Sequence, residues 1–125
     1  SEDKVGFSNA VKEIKLGDIH FFRGTDSDLA HALGHYVKAD SFNHYSSDLN
    51  YKIGVCFLQS TQKFRALEYL QFAEKTQRED QFEDLDFYLG QAYQLNGDWD
   101  EATKYYRKYK ETLGDNEKEQ RFYAN

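Results

Sequence analysis

Small residues and rings recur at helical spacing in three stretches of the chain. Each stretch has a glycine that follows an aliphatic residue and precedes a ring by three positions, at Gly17, Gly54 and Gly90. Residues three or four apart share one face of an α-helix, and a glycine on that face lets a second helix approach closely. The pattern therefore predicts three helices, which cover residues 9–23, 47–60 and 84–96.

A second helix is predicted after each of these three. Ala32, Ala66 and Ala102 are each followed, four residues later, by a large apolar residue. The alanines are 34 and 36 residues apart, close to the period of about 34 residues seen in one class of repeated helix–turn–helix unit. One such unit cannot bury its own apolar faces, so we expect the three units to stack into a single domain.

The clearest unit lies at residues 86–109, which read DFYLGQAYQLNGDWDEATKYYRKY. The order L-G-x-x-Y followed by A-x-x-x-Y resembles the tetratricopeptide repeat (TPR), and the resemblance covers nearly the whole chain. It implies an all-α fold, a right-handed α-solenoid of three TPR units with a C-terminal capping helix. We expect the units at residues 9–43, 47–79 and 84–113, and the capping helix at residues 116–125.

The end of the chain is expected to break and then resume as a helix. Gly114 and Asn116 predict the break, and the capping helix follows it. Because this helix stops inside its repeat pattern, we expect the chain to be part of a longer protein.

Two segments of the sequence resemble a narrower group of proteins. They are SSDLNYKIGVCFL at residues 46–58 and DLDFYLGQAYQLNGDWDEATKYYRKYK at residues 84–110. They resemble the N-terminal TPR segment of bacterial envelope lipoproteins that also carry a β-propeller and an OmpA-like domain, associated with type IX secretion and gliding. The resemblance implies a scaffold in the periplasm, associated with the outer membrane and with envelope-complex subunits. A cytoplasmic location is the alternative.

Charge and composition exclude several classes of partner. The net charge is −6, and an acidic field repels nucleic acid and anionic membranes. No apolar run approaches the roughly 18 residues that a membrane-spanning helix needs, so we expect no membrane insertion by this segment. Cys56 is the single cysteine, which excludes an intrachain disulfide and a cysteine-based zinc cage.

The sequence predicts no enzyme, no cofactor and no metal site. It has no glycine-rich phosphate loop and no nucleophile elbow. His31 and His35 are four residues apart and could be two metal ligands, but no third ligand has suitable spacing. The segment KYYRKYK at residues 104–110 mixes bases and rings, as nucleic-acid sites do, yet Tyr106 and Tyr109 fall on predicted buried positions.

The predicted binding surface is the concave groove that the first helices of a TPR stack line. Four positions of each first helix face it. They hold Val11, Ile14, Asp18 and Phe21 in the first unit, Asp48, Tyr51, Val55 and Leu58 in the second, and Asp84, Phe87, Gln91 and Gln94 in the third. An exposed apolar ladder beside carboxylates suits a peptide with apolar anchors and a basic residue. We expect a partner protein or peptide to be anchored on Tyr51 and Phe87, with Asp48 and Asp84 selecting its Lys or Arg.

Other interpretations of the same surface stay open. The rings could pack between repeats or under the terminal helix. The module could then be a rigid spacer or a dimerisation unit, and a groove that stays open could instead bind a small cell-wall fragment.

Overall fold

The described part of the chain folds into six α-helices that pair into three hairpins. The computed structural model describes residues 2–42 and 46–124, with side chains for residues 5–42 and 46–114. The helices are α1 (Glu2–Arg23), α2 (Asp26–Asp40), α3 (Ser47–Leu58), α4 (Ala66–Thr76), α5 (Leu85–Leu95) and α6 (Trp99–Ala124). A short 3₁₀ turn at Lys63–Arg65 leads into α4, and the described residues contain no strand.

Glycines and capping side chains set several helix ends, whereas α1 begins at Glu2 and not at the predicted residue 9. Gly24 and Gly97 have φ of +78° and +80°, the left-handed conformation that glycine adopts without steric cost. The Ser46 hydroxyl accepts a hydrogen bond from the Leu49 amide at 3.1 Å, so it caps α3. Asp98 caps α6 in the same way, by accepting from the Glu101 amide at 3.2 Å.

Each hairpin is closed by a contact between the glycine of its first helix and a large side chain of its second helix. Gly17 lies against Tyr36, Gly54 against Leu70, and Gly90 against Tyr106. A Cβ added at Gly54 would lie 2.5 Å from Leu70 Cδ2. The helices can therefore be this close only because the glycine has no side chain.

Stacking of the hairpins forms the core. α3 packs between α2 and α4, and α5 packs between α4 and α6. Cys56 lies inside this core and is 1% exposed. Burial raises the pKa of its thiol to about 12, so the cysteine is a packing residue rather than a nucleophile.

The predicted break at Gly114 and Asn116 is wrong. One helix, α6, continues from Trp99 to Ala124, a length of about 39 Å at a rise of 1.5 Å per residue. A glycine inside a helix costs only about 1 kcal/mol relative to alanine, and the chain has no proline to stop the helix. The predicted capping helix is thus the second half of α6, and the contacts expected of it lie outside the described side chains.

Candidate binding groove

An aromatic cluster lies at the end of the predicted groove where α3 and α5 begin. The Tyr51 ring stacks on Phe82, with ring centroids 4.3 Å apart and planes 9° apart. Tyr88 meets Tyr51 edge-on at 6.0 Å. Phe82 comes from the connector between α4 and α5, and it covers a ring that the sequence predicts to be an open anchor.

Phe87 belongs to the same cluster but packs against α6. Its ring lies 5.4 Å from that of Tyr109 and 6.0 Å from that of Tyr106, measured between centroids. It is half-buried. Tyr51 therefore makes a contact between repeats, as the alternative interpretation expects, whereas Phe87 packs within its own hairpin.

The carboxylates of the first two hairpins already share a cation. Lys52 Nζ lies 3.0 Å from Asp18 Oδ1 and 2.9 Å from Asp48 Oδ2, and Tyr36 donates its hydroxyl proton to Asp18 at 2.6 Å. Burial favours the neutral amine, but the hydrogen bonds and charges of the two aspartates outweigh it and raise the pKa of Lys52 above its ordinary value. Because Lys52 holds it, Asp48 is poorly placed to select a base from a partner.

Asp84 differs from Asp48 in having no salt bridge to a described cation. It is exposed and accepts a hydrogen bond from the Tyr109 hydroxyl at 3.0 Å. It precedes α5 directly, but its side chain does not cap the helix amides. The Tyr109 hydroxyl is a neutral donor. It orients the Asp84 carboxylate without cancelling its negative charge.

A cleft of about 360 Å³ opens at the other end of the groove. We call it the end cleft. It is lined by Leu58, Gln59, Lys63, Gln91, Gln94, Leu95 and Tyr106. Gln94 Oε1 accepts a hydrogen bond from the Tyr106 hydroxyl at 2.8 Å, which fixes one wall.

The end cleft brings together three residues that the sequence predicts for the site, namely Leu58, Gln91 and Gln94. Leu58 is only 5% exposed, so it is part of the cleft floor rather than an open anchor. Val55, also predicted to be open, is 6% exposed. Both are buried because α3 packs between neighbouring hairpins.

The first hairpin contributes less to an open groove than expected. Ile14 and Phe21 are partly buried and pack against the core. Phe21 meets the Tyr36 ring at 6.1 Å. The groove that remains accessible is formed mainly by α3 and α5.

Sequence reasoning missed four residues of the end cleft, which are Gln59, Lys63, Leu95 and Tyr106. Lys63 lies in the turn before α4. The groove residues are predicted from helical spacing, which does not extend into this turn. The spacing of Tyr106 predicts a buried position, and its ring does fill the gap at Gly90, while its hydroxyl reaches the cleft. Spacing alone predicts the first role and not the second.

The histidines form a third cluster, away from the groove. His20 stacks on His31 at 5.1 Å and on His35 at 5.9 Å, so the structure adds a third ring to the predicted pair. His35 bonds Glu13 at 2.6 Å and His20 bonds Asp28 at 3.1 Å. These hydrogen bonds hold the pKa of each carboxyl below its ordinary value.

The histidine cluster does not have the geometry of a metal site. Stacked rings direct their nitrogen lone pairs along nearly parallel planes, whereas a metal needs lone pairs that converge. Within the described part of the chain, no three His, Cys, Asp or Glu side chains are arranged to hold a metal ion.

Comparisons with known proteins agree with the helical-repeat architecture. A family model described as tetratricopeptide repeat matches residues 84–116. The crystal structure of MamA is similar, with a TM-score of 0.64 and 24% sequence identity; the match covers 87% of this chain and 61% of the MamA chain. A comparison with curated proteins gave no match.

These findings confirm the predicted fold class, an all-α, TPR-like solenoid. They do not bear on the closer resemblance to envelope lipoproteins. None of the helices in the described part of the chain is long and apolar enough to cross a membrane.

Proposed function

We propose that the protein is a non-enzymatic scaffold that binds an extended peptide segment of a partner protein. The binding surface is the groove between α3 and α5. The observation that carries the proposal is the end cleft, which lies on the same side of α5 as the uncompensated carboxylate of Asp84.

The dimensions of the groove suit a short extended segment. Asp84 and Gln94 are ten positions apart, which is about 15 Å along a helix. An extended chain advances about 3.3 Å per residue, so roughly five peptide residues span the distance between the two positions.

The charges of the two ends give the peptide a direction. Asp84 attracts a Lys or Arg, and the Tyr109 hydroxyl orients its carboxylate. The end cleft holds an apolar side chain against Leu58, and Lys63 at its rim disfavours a second base there. Gln91, between the two ends, has an amide that can bond the peptide backbone.

This proposal keeps the expected partner, a peptide with apolar anchors and one base, but moves the anchor. Tyr51 and Phe87 are replaced by the end cleft because α6 and the connector cover their rings. Asp84 alone selects the base because Lys52 neutralises Asp48.

A random peptide library displayed on phage tests the proposal. Selection on the protein should enrich peptides with Lys or Arg about five residues from a Leu, Ile or Phe. Asp84→Asn should weaken the selected peptides by about tenfold or more, because it removes the charge that pairs with the base.

The matched control is Asp100→Asn, which removes an exposed acid from the start of α6 and should leave affinity unchanged. Enriched peptides that lack a base, or that bind Asp84→Asn as tightly as the unaltered protein, would contradict the proposal. Failure to enrich any peptide would also contradict it.

We also propose a place for the scaffold in a bacterial envelope complex, in the periplasm and associated with the outer membrane. Only the resemblance of residues 46–58 and 84–110 supports this location. Cell fractionation of the source bacterium with an antibody against the protein tests it, and recovery in the cytoplasmic fraction would contradict it.

A further inference from the structure

The end cleft presents hydrogen-bond donors to a ligand and no acid. Its polar lining consists of Lys63, three glutamines and the Tyr106 hydroxyl. The Tyr106 hydroxyl proton is already donated to Gln94 Oε1 at 2.8 Å. This bond orients the Gln94 amide, and its NH₂ group, from which no described residue accepts, remains as a donor. None of the described residues that line the cleft is an Asp or a Glu.

Lys63 supplies a positive charge that no described acid neutralises. It is exposed at the rim of the cleft and forms no salt bridge within the described part of the chain. Two other lysines near the groove are held by acids, since Lys52 lies 2.9 Å from Asp48 and Lys108 lies 3.8 Å from Asp86. The charge of Lys63 is therefore available to a ligand.

The two ends of the groove have opposite charge. Residues 59–67, which form the turn beside the cleft, contain two bases and no acid. Asp84 lies at the opposite end of α5. Asp98 and Asp100 of the neighbouring turn are exposed and do not line the cleft. A segment in the groove thus meets a negative charge at one end and a positive charge at the other.

The geometry of an extended chain places the complementary group. Alternate side chains of an extended peptide face the same side and lie about 6.6 Å apart. When an apolar residue packs on Leu58, the next residue faces away from the cleft. The residue two positions beyond the apolar anchor is the next one that faces the cleft rim, where Lys63 lies.

We infer, resting on the proposed function, that the end cleft also binds a carboxylate of the same peptide. Lys63 Nζ pairs with this carboxylate and the NH₂ group of Gln94 donates to it. The partner segment then carries a base for Asp84, an apolar residue about five positions later and a carboxylate two positions beyond that. An Asp or Glu side chain, or a free C-terminus at that position, supplies the carboxylate.

The test uses three fluorescein-labelled peptides that share one sequence. Each has a lysine and, about five residues later, a leucine. Two positions beyond the leucine, one peptide has a glutamate, the second a glutamine and the third a free C-terminal carboxylate; the first two are amidated. Fluorescence anisotropy should show the glutamate peptide binding about fivefold more tightly than the glutamine peptide, the size of effect that an exposed ion pair gives. The difference should shrink at high salt.

Variants of Lys63 locate the carboxylate. Lys63→Gln should abolish the difference between the glutamate and glutamine peptides, and Lys63→Glu should invert it, because a negative charge then faces the glutamate. Lys75→Gln is the matched control, since it removes an exposed base from the last turn of α4 and should keep the difference. Both positions are exposed, so circular dichroism should show an unchanged fold.

Equal affinity of all three peptides would overturn the inference, as would a preference for glutamate that persists in Lys63→Gln. A preference lost in Lys75→Gln as well would also contradict it, because the effect would then come from the overall charge. If only the peptide with a free C-terminus shows the preference, the carboxylate is assigned to a chain terminus.

The groove and the carboxylate site are separated by Asp84→Asn. This variant should weaken all three peptides alike and leave the preference for glutamate intact. Peptides that depend on Asp84 but not on the glutamate would support the groove and contradict the carboxylate site. A preference that depends on Lys63, without any effect of Asp84→Asn, would do the reverse. The absence of saturable binding by any peptide would contradict both.

Discussion

Lys52 shows how one side chain redirects a predicted site. The sequence places Asp18 and Asp48 in the groove as open carboxylates, but Lys52 reaches both from α3. Its side chain is 11% exposed, and the Phe22 ring lies 5.6 Å from its ammonium group. The bridge joins the first two hairpins, whereas Asp84 bonds only a neutral hydroxyl among the described side chains.

The carboxylates that bond the histidines make the stability of the fold depend on pH. The pKa of Glu13 lies below its ordinary value of 4.5, chiefly because of the hydrogen bond with His35. A group whose pKa is lowered by folding stabilises the native state above its unfolded pKa and loses that contribution as pH falls.

We therefore predict that Glu13→Gln is less stable than the unaltered protein at pH 6. The difference should shrink as pH falls below 4.5 and through the lowered pKa, because Glu13 then becomes neutral too. Urea unfolding at a series of pH values measures it. The control is Glu79→Gln in the exposed connector, and a Glu13→Gln difference that grows towards low pH would contradict the assignment.

At the scale of elements, the hairpins depend on a glycine and a large side chain in contact. Gly54 and Leu70 form this contact between α3 and α4, and the space for a Cβ is already filled. Gly34 on α2 is the opposite case, since nothing lies within 4 Å of its missing Cβ.

We predict that Gly54→Ala lowers the free energy of unfolding by about 1–3 kcal/mol, because it overpacks a close helix contact. Gly34→Ala should raise it by about 0.5–1 kcal/mol, because alanine is the better helix former. Chemical denaturation measures both. Equal effects of the two substitutions would show that the helices are not in close contact at Gly54.

In α6 the local sequence signals are too weak to end the helix. Gly114 and Asn116 disfavour a helix, but their combined cost is about 1–2 kcal/mol. No proline follows them. The helix therefore continues past the predicted boundary, and no separate capping helix begins there.

At the scale of the whole molecule, stability is carried by contacts between neighbouring hairpins. In a repeat protein each unit contacts only its neighbours, so the stability is a sum of unit and interface contributions. The stack of Phe82 on Tyr51 lies at the interface of the second and third hairpins.

We predict that Phe82→Ala weakens that interface by about 1–2 kcal/mol, the contribution of a stacked pair and its partly buried area. Hydrogen exchange should become faster in α5 while α1 and α2 are unaffected. Phe64→Ala, at a 66% exposed position, should change exchange in neither region. Unchanged exchange in α5 would show that the stack does not couple the hairpins.

Only part of the candidate site could be predicted from the sequence. Helical spacing predicts Leu58, Gln91 and Gln94 for the groove, because equivalent positions in stacked units face the same side, and all three line the end cleft. Spacing could not place Phe82 or Lys63. Both lie in connecting segments, where side chains do not follow the helical period.

The sequence by itself predicted three pairs of helices and the fold class, but not the start of α1 at Glu2 or the unbroken length of α6. The reason is local: glycine, alanine and large apolar residues at helical spacing define which faces can approach each other. Only the tertiary structure decided which of the groove side chains stay open. Whether Tyr51, Val55 or Asp48 is available depends on neighbours from other hairpins and from the connectors, and those distances are set by packing rather than by spacing along the chain.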